Sequence, residues 1–546
     1  MTTLHGYILR DLLKAFLLTQ IALTALFTVI TGGGLWVRYE GVSSVDALTF
    51  MPLVVPIVLT FTMPVAALFA TTLVYGRLAA DNEWLACRAA GLNVHRLFLS
   101  AMLLAVFVTV FTLLAGNYFI PGLVRELTWS LQSNVRDFAF QQLRNKGHIR
   151  QQQRFFLTAE GVYGVPRDQL EQRGFPTGSG FSYILVEGPT FLQLGPGGDV
   201  ERFTVAQSGL CQFDATGRDV RVSLWVSQAR DFTPASVVNV SGQKIGTITF
   251  PIPLPNKPAW QDLETLRRWR VEPWHGDKIT EATRAFIDEL AVSRVYAECR
   301  RQLAEGALEL SDGQSRRFRV SAGEVRVARG DRPLLHEARV EERDVSGRLL
   351  RRLEAPRANI TAHPVPNGPP LIEVELAAQG ERRLLEIDPA GGGRVTRDRP
   401  LTIDAVTPEA LRRELGAFTP RAVFDERVEL PLAGELADKR LGLLASGEAF
   451  RRKIDAQIQF RLGFASSALV TVLMGAVLGV MFRGSQALAA FALACVPFGI
   501  VLILMFMGRQ LCENRGTELA GLIVTWGGLA GVALADLALM RIGVPR

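Results

Sequence analysis

Hydrophobic and polar positions fall into three blocks along the chain. Uncharged apolar runs that reach the ~20 helical residues needed to cross a bilayer core occur at Ala15–Val37, Ala47–Gly76, Leu97–Val124, Leu462–Phe482 and Gly484–Gly508. A sixth, Leu519–Ala535, is near the short limit and extends to Met540 if Asp536 is accepted near its end. From about Pro121 to Arg461 no run is long enough to cross. The pattern is three spans, a long polar stretch, then three more spans.

Inside the polar stretch the period changes to two. Val220, Val222, Leu224 and Val226 share one face, with Arg221, Ser223 and Trp225 on the other. Ile372, Val374 and Leu376 alternate with glutamates, and Phe318, Val320, Val325 and Val327 behave similarly. Turn signals such as Ala215-Thr216-Gly217 and Asp344-Val345-Ser346-Gly347 separate these runs. This is the pattern of half-buried antiparallel strands in a sandwich or jellyroll. One interruption is helical: Thr280–Glu305 lacks Gly and Pro, and Gly306 supplies a stop. A shorter helix is predicted at Trp260–Arg270, and another from about Gly447 into the fourth span.

Composition sharpens this division. A chain of 546 residues is too long for one core, and 48% hydrophobic beside 21% charged residues fits apolar and charged parts kept separate. The net charge of +7 comes from basic residues spread through the middle without a dense tract, which argues against nucleic acid. Cys87, Cys211, Cys299, Cys495 and Cys512 show no metal-ligand spacing. A Cys211–Cys299 bridge is open in an oxidising compartment, and nothing in the spacing demands it. The first apolar run is too long for a cleaved signal peptide and no small-x-small cleavage site is read before Arg38, so it reads as a retained span.

Orientation follows from Lys and Arg in short loops. With the N-terminus inside, inner segments carry Arg10, Lys14, Arg77, Arg88, Arg96, Arg483, Arg541 and Arg546, against Arg38, Arg509 and Arg515 outside. Arg451, Arg452, Lys453 and Arg461 also fall outside and count against this arrangement, although long domains translocate largely regardless of charge. Both termini are therefore expected in the cytoplasm and the large domain outside it.

Between spans two and three, on the inner side, lies GRLAADNEWLACRAAG (residues 76–91). As one helix it would align Leu78, Leu85 and Leu92, flanked by Trp84 and Ala89, with Arg77, Asp81, Glu83 and Arg88 on the rest and Gly91 as the stop. Such a helix serves either as an interfacial connector with solvated charges or as a peg seated in a groove of a motor subunit, where Asp81 or Glu83 pairs with a partner arginine.

This stretch resembles the G-R-L-x-x-D-x-E-x-x-A-x-x-A-x-G segment of the LptF/LptG (YjgP/YjgQ) permease family. The start YILRDLLKAF (7–16), the prolines Pro52, Pro56 and Pro64 of span two, EAFRRK (448–453), MGAVLG (474–479) and Trp526 are similar to counterparts in that family. The resemblance covers residues 1–125 and 445–546. The family's proline pair before the last span is absent, and Thr517-Glu518-Leu519 stands there. It implies an α-helical membrane protein with six transmembrane helices (3+3) and an inserted periplasmic β-jellyroll-like domain. By that division residues 1–125 hold spans one to three with the coupling helix near 77–91. Residues 126–446 form the periplasmic β-rich domain with a helical insertion near 259–306, and 447–546 hold spans four to six.

The resemblance also implies a role: the transmembrane subunit of an ABC transporter of the bacterial inner membrane that extracts lipopolysaccharide or a related glycolipid for export to the outer membrane. The implied partners are an LptB-like ATPase dimer, a second LptF/LptG-like subunit (hetero- or homodimer) and a periplasmic bridge of the LptC/LptA type. The chain has no G-x-x-x-x-G-K-[ST] loop and no nucleophile–base or metal constellation. It is read as non-catalytic and without cofactors, ATP and Mg being used by the partner. Arg77, Asp81, Glu83, Trp84, Arg88 and Gly91 are the expected ATPase-coupling residues. Leu18, Ile21, Phe27, Phe498 and Phe506 offer apolar walls to acyl chains, as any lipid-facing helix would. Arg38 could meet a lipid phosphate or simply snorkel, and Asp536 is expected near the inner headgroups or paired with Arg541. A reading of another class, a non-transporting envelope scaffold whose outer domain binds a partner protein, predicts no ATPase partner.

Overall fold

The computed structural model describes the chain apart from residues 1, 39–43, 134–139, 141–142, 145–146, 152–154, 165–180, 195–198, 215–219, 234–235, 241–242, 251–256, 314–315, 329, 345, 366–367, 379–381, 388–392, 398–399, 433, 483–486 and 544–546. Among the described residues six helices are long and apolar enough to cross a membrane. The predicted turn Ala215-Thr216-Gly217 lies outside the described residues.

The first three spans are α1 (Thr2–Arg38), α2 (Ser44–Ala80) and a composite third. Between α2 and the third span lies α3 (Glu83–Ala89). The third span comprises α4 (Val94–Leu97), α5 (Leu99–Leu114), a π-helical turn at Ala115–Phe119 and α6 (Ile120–Ser133). At the π turn Asn117 Nδ2 donates to the Leu113 carbonyl at 2.9 Å, while its Oδ1 accepts from Arg461 at 3.1 Å. Arg461 also donates to the Ala259 carbonyl at 2.9 Å. That arginine, which weighed against the orientation as a bare charge, is thus held by side-chain and backbone acceptors.

Helix α2 stays helical through three prolines, and the Thr60 and Thr62 hydroxyls turn back to the Pro56 and Val58 carbonyls at 2.8 and 3.0 Å. Gln20 of α1 donates to Thr62 at 2.8 Å and Thr24 at 3.0 Å, a buried polar contact between α1 and α2.

Two antiparallel sheets follow. The first contains β1 (His148–Gln151), β2 (Phe155–Thr158), β3 (Gly161–Tyr163), β4 (Phe181–Glu187), β5 (Thr190–Leu194), β6 (Val200–Asp214), β7 (Val220–Thr233), β8 (Ser236–Val240) and β9 (Gln243–Phe250). One edge of the long β6 takes β5 and then β4, and its other edge takes β7. Val222, Leu224, Val226 and Cys211 are buried on one face, as the alternation predicts. The opposite face is not simply solvated: Tyr183, Leu185 and Leu210 form a second cluster there with Trp225 against it, the indole donating to Gln212 at 3.0 Å.

Then come α7 (Leu263–Val271) and α8 (Asp277–Ala304), closed by Gly306 at φ +124°. The second sheet contains β10 (Leu308–Ser311), β11 (Arg316–Ser321), β12 (Glu324–Val327), β13 (Pro333–Asp344), β14 (Leu349–Val365), β15 (Gly368–Ala377), β16 (Leu384–Ile387), β17 (Arg394–Arg397) and β18 (Leu401–Val406). It curls into a ring, β13–β11–β10–β18–β15–β14, because β13 pairs with β14 as well as β11. The β10–β18 seam is a single pair, Ser311 with Val406. Phe286, Leu290, Tyr296 and Cys299 of α8 share a core with Val320, Ile372, Val374 and Leu376 of the strands. Val327, expected on the buried face, is 60% exposed at the end of the edge strand β12. In chain order the helical stretch therefore falls between the strands of two sheets and does not interrupt one. Cys211 and Cys299 are free, each buried in its own core.

The chain ends with α9 (Glu409–Leu415), α10 (Pro420–Phe424), α11 (Glu435–Met481), α12 (Ala487–Glu513) and α13 (Glu518–Gly543). Helix α11 starts twelve residues before the predicted Gly447. Two compact units result, one of residues 1–263, 457–509 and 521–546, the other of 264–456 and 510–520. In the first, Gly475 and Gly479 lie one turn apart on α11 against α2. A Cβ at Gly479 would come 2.7 Å from the Thr72 carbonyl, and one at Gly475 2.8 Å from that of Leu68.

Candidate functional site: the short helix between spans two and three

Residues 77–91 do not form one helix. Helix α2 continues to Ala80, carrying Arg77 and the buried Leu78, and the chain then turns at Asp81–Asn82. Asn82 adopts the left-handed conformation at φ 57°, tolerable for Asn. Only Glu83–Ala89 follow as α3, stopped by Gly91 at φ +76°. The break resets the helical phase. Trp84 is 7% exposed, whereas Leu85 is 53% exposed and Ala89 also faces out, so Leu78, Leu85 and Leu92 do not form one stripe.

Trp84 fixes α3 to the membrane helices. Its ring lies 5.4 Å from Phe98 and 6.3 Å from Tyr75, and those two stack at 5.5 Å. Tyr75 Oη donates to the Leu97 carbonyl at 2.7 Å. The same core contains Ile8, Leu12 and Phe16 of α1 and Ala101 and Leu104 of α5. Arg77 forms an ion pair with Asp11 of α1. The anchors Asp11, Tyr75 and Phe98 escaped the sequence reading, although two aromatic residues flanking a loop that carries a tryptophan were the available signal.

The outer surface of α3 carries Asp81, Leu85, Ala86 and Ala89, all exposed, with Glu83 and Arg88 half-exposed. Cys87 is half-buried beside them, and burial, then the Glu83 carboxylate, push its thiol above the ordinary value. Among the described residues no cluster could hold a metal ion. The surface offers one apolar knob ringed by charges of both signs, mounted on a rigid aromatic base.

Residues 6–172 match the family model described as lipopolysaccharide export system permease LptF/LptG. Over this segment, under a third of the chain, the sequence is similar to that permease family. The match covers the first three spans, the short helix and the first strands. No curated protein matches the chain. The six long apolar helices among the described residues, together with this match, make it a multi-pass membrane protein.

The expected lipid-facing residues divide. Leu18 and Ile21 are 73% and 69% exposed, and Phe27 is also exposed on α1. Phe506 is exposed, with its ring 5.2 Å from Phe460. Phe498 is instead buried among Leu68, Met474, Leu478 and Ala494, so it packs helices together and lines no open wall. Arg38 ends α1, and its side chain lies outside the described residues. Asp536 is fully buried, and among the described residues both carboxylate oxygens lack a hydrogen-bond partner, Arg541 included. A five-residue spacing turns Asp536 and Arg541 to different faces of α13, because helical neighbours lie three or four apart.

Proposed function

We propose that this chain is an LptF/LptG-type membrane subunit through which a separate cytoplasmic ATPase drives extraction of lipopolysaccharide or a related glycolipid from the inner membrane. Helix α3 acts as the coupling element. The observation that carries this reading is the Trp84–Tyr75–Phe98 cluster, continuous with Leu12 and Phe16 of α1. A seven-residue helix has little stability of its own, so docked this way it moves with α2, α5 and α1. Displacement of α3 by a motor is then passed to the spans and not absorbed locally.

In this reading Leu85 enters an apolar groove of the ATPase, Asp81 and Glu83 meet basic groups on its rim, and Arg88 an acidic one. Two such permease chains, alike or different, enclose the lipid, with Leu18, Ile21 and Phe27 facing acyl chains. A periplasmic bridge protein receives the lipid. ATP and Mg belong to the partner.

The test is co-purification with an LptB-type ATPase. Leu85→Glu and the double variant Asp81→Ala/Glu83→Ala should release the ATPase while the spans stay folded, because these side chains are exposed or half-exposed. Normal association and normal lipid export in both variants would sink the coupling role of α3.

A further inference from the structure

We propose that the second compact unit carries a carbohydrate-binding cleft walled by α10, the start of α11 and the turn Pro273–His275. The cleft measures about 560 Å³, within the ~300–1,000 Å³ of sites that take small ligands. Its floor is aromatic: the Trp274 and Phe424 rings lie 5.7 Å apart, inclined by 37°, both half-buried. Phe424 reaches this position because Gly447 of α11 lies beneath it, where a Cβ would come 2.6 Å from the ring edge.

Beside Glu272, which pairs with His275, and Asp425 and Arg427, joined through the Arg427 amide, the rim carries four further charged residues, Arg421, Glu426, Glu448 and Arg451, all exposed. Among the described residues their side chains make no hydrogen bond or ion pair with the rest of the chain, unlike the many arginines of β11–β17 held in ion pairs. Donors and acceptors of both signs are thus presented around an aromatic floor without being used.

That combination selects a ligand class. A sugar ring has an apolar C–H face that packs on an aromatic ring, and hydroxyls that donate to carboxylates and accept from guanidinium groups. A polyphosphate would meet four carboxylates beside the three arginines, and an acyl chain would leave these charges unsolvated. The cleft therefore fits a short, hydroxyl-rich oligosaccharide. If the proposed export function holds, the saccharide part of the glycolipid is one source, and a free oligosaccharide is the other.

The test uses the full chain in nanodiscs of phosphatidylethanolamine and phosphatidylglycerol, titrated calorimetrically with the saccharide of lipopolysaccharide freed of its acyl chains. Saturable binding is expected, weakened at least tenfold by Trp274→Ala and at least threefold by Arg421→Gln/Glu448→Gln. The rim residues are exposed, so their variant tests the cleft even if Trp274→Ala perturbs the turn. Competition by intact lipopolysaccharide identifies the glycolipid as the source, and binding without competition identifies a free saccharide; both support the cleft. No saturable binding, or binding unchanged in the rim variant, overturns it. ATPase association, read through Leu85→Glu, is independent of this result, so the cleft can fail while the export reading stands.

Discussion

Trp84→Ala probes the mechanical role of α3 most sharply. Replacing a buried tryptophan with alanine typically costs about 3–5 kcal/mol through lost transfer energy and an unfilled cavity, and Trp84 is 7% exposed with two aromatic neighbours. A helix of seven residues cannot offset that loss by its own propensity. Most of the cost therefore falls on docking of α3 and not on global folding. At about 1.4 kcal/mol per tenfold, the lower figure corresponds to roughly a hundredfold rise in the undocked population. Hydrogen–deuterium exchange reads this directly: amides of Ala86–Leu92 should exchange far faster, while those of α5 (Leu99–Leu114) stay protected. In the complex, the ATPase should still bind through the exposed residues, but hydrolysis should no longer drive lipid release. Trp84→Phe should keep most of both. Unchanged exchange at Ala86–Leu92, or full lipid release in Trp84→Ala, would refute the reasoning.

Three further outcomes follow from the packing. Gly479→Val places methyl groups against the Thr72 backbone, where even a Cβ would come within 2.7 Å, and overpacking of this kind costs about 1–3 kcal/mol; a lower midpoint of thermal unfolding in detergent checks it. Tyr296→Phe leaves the Ala362 amide, which donates to the Tyr296 hydroxyl at 3.1 Å, unsatisfied inside the second sheet's core, at about 1–3 kcal/mol, measurable as a shift in denaturant midpoint. In the first sheet, burial pushes the Asp231 carboxyl up, but Arg202 at 2.7 and 2.9 Å and the Thr204 hydroxyl at 2.7 Å outweigh it and hold it below the usual carboxylate range. A lowered folded-state pKa means that this stability is present above the unfolded value near ~3.9 and is lost as pH falls through the folded value. Asp231→Asn should flatten that acid-side loss in a pH series of unfolding curves.

How much was legible in the sequence depended on which physical signal was local. The spans are written in uncharged runs, and the helix at 277–304 in a stretch free of Gly and Pro. The alternation at 220–226 and 372–376 read correctly because those strands have one buried face. Val327 misled because an edge strand need not bury what its pattern offers. The start of α11 was missed because Gly442 and Gly447 lower helix propensity, whereas Gly447 is there to admit the Phe424 ring, a tertiary demand. The ring closure of the second sheet rests on β13 pairing with two partners, which no local pattern states.

At the candidate site the resemblance marks residues 76–91 but not where the helix breaks. A left-handed Asn82 resets the phase after it, which keeps Trp84 inside but turns Leu85 out of the stripe that a continuous helix predicts. Asp536 shows the same limit. Its burial without a partner is set by neighbouring helices, and spacing along α13 says only that Arg541 is on another face.

If a separate ATPase works this chain through α3, lipid transfer must depend on both ATP and the exposed face of α3. The most direct measurement reconstitutes the chain with its co-purified partner subunits in proteoliposomes loaded with lipopolysaccharide, and follows ATP-dependent transfer of that lipid to a soluble periplasmic bridge protein. The account predicts ATP-dependent transfer with the unaltered chain and none with Leu85→Glu. Transfer that needs no ATP, or that proceeds equally with Leu85→Glu, would contradict it.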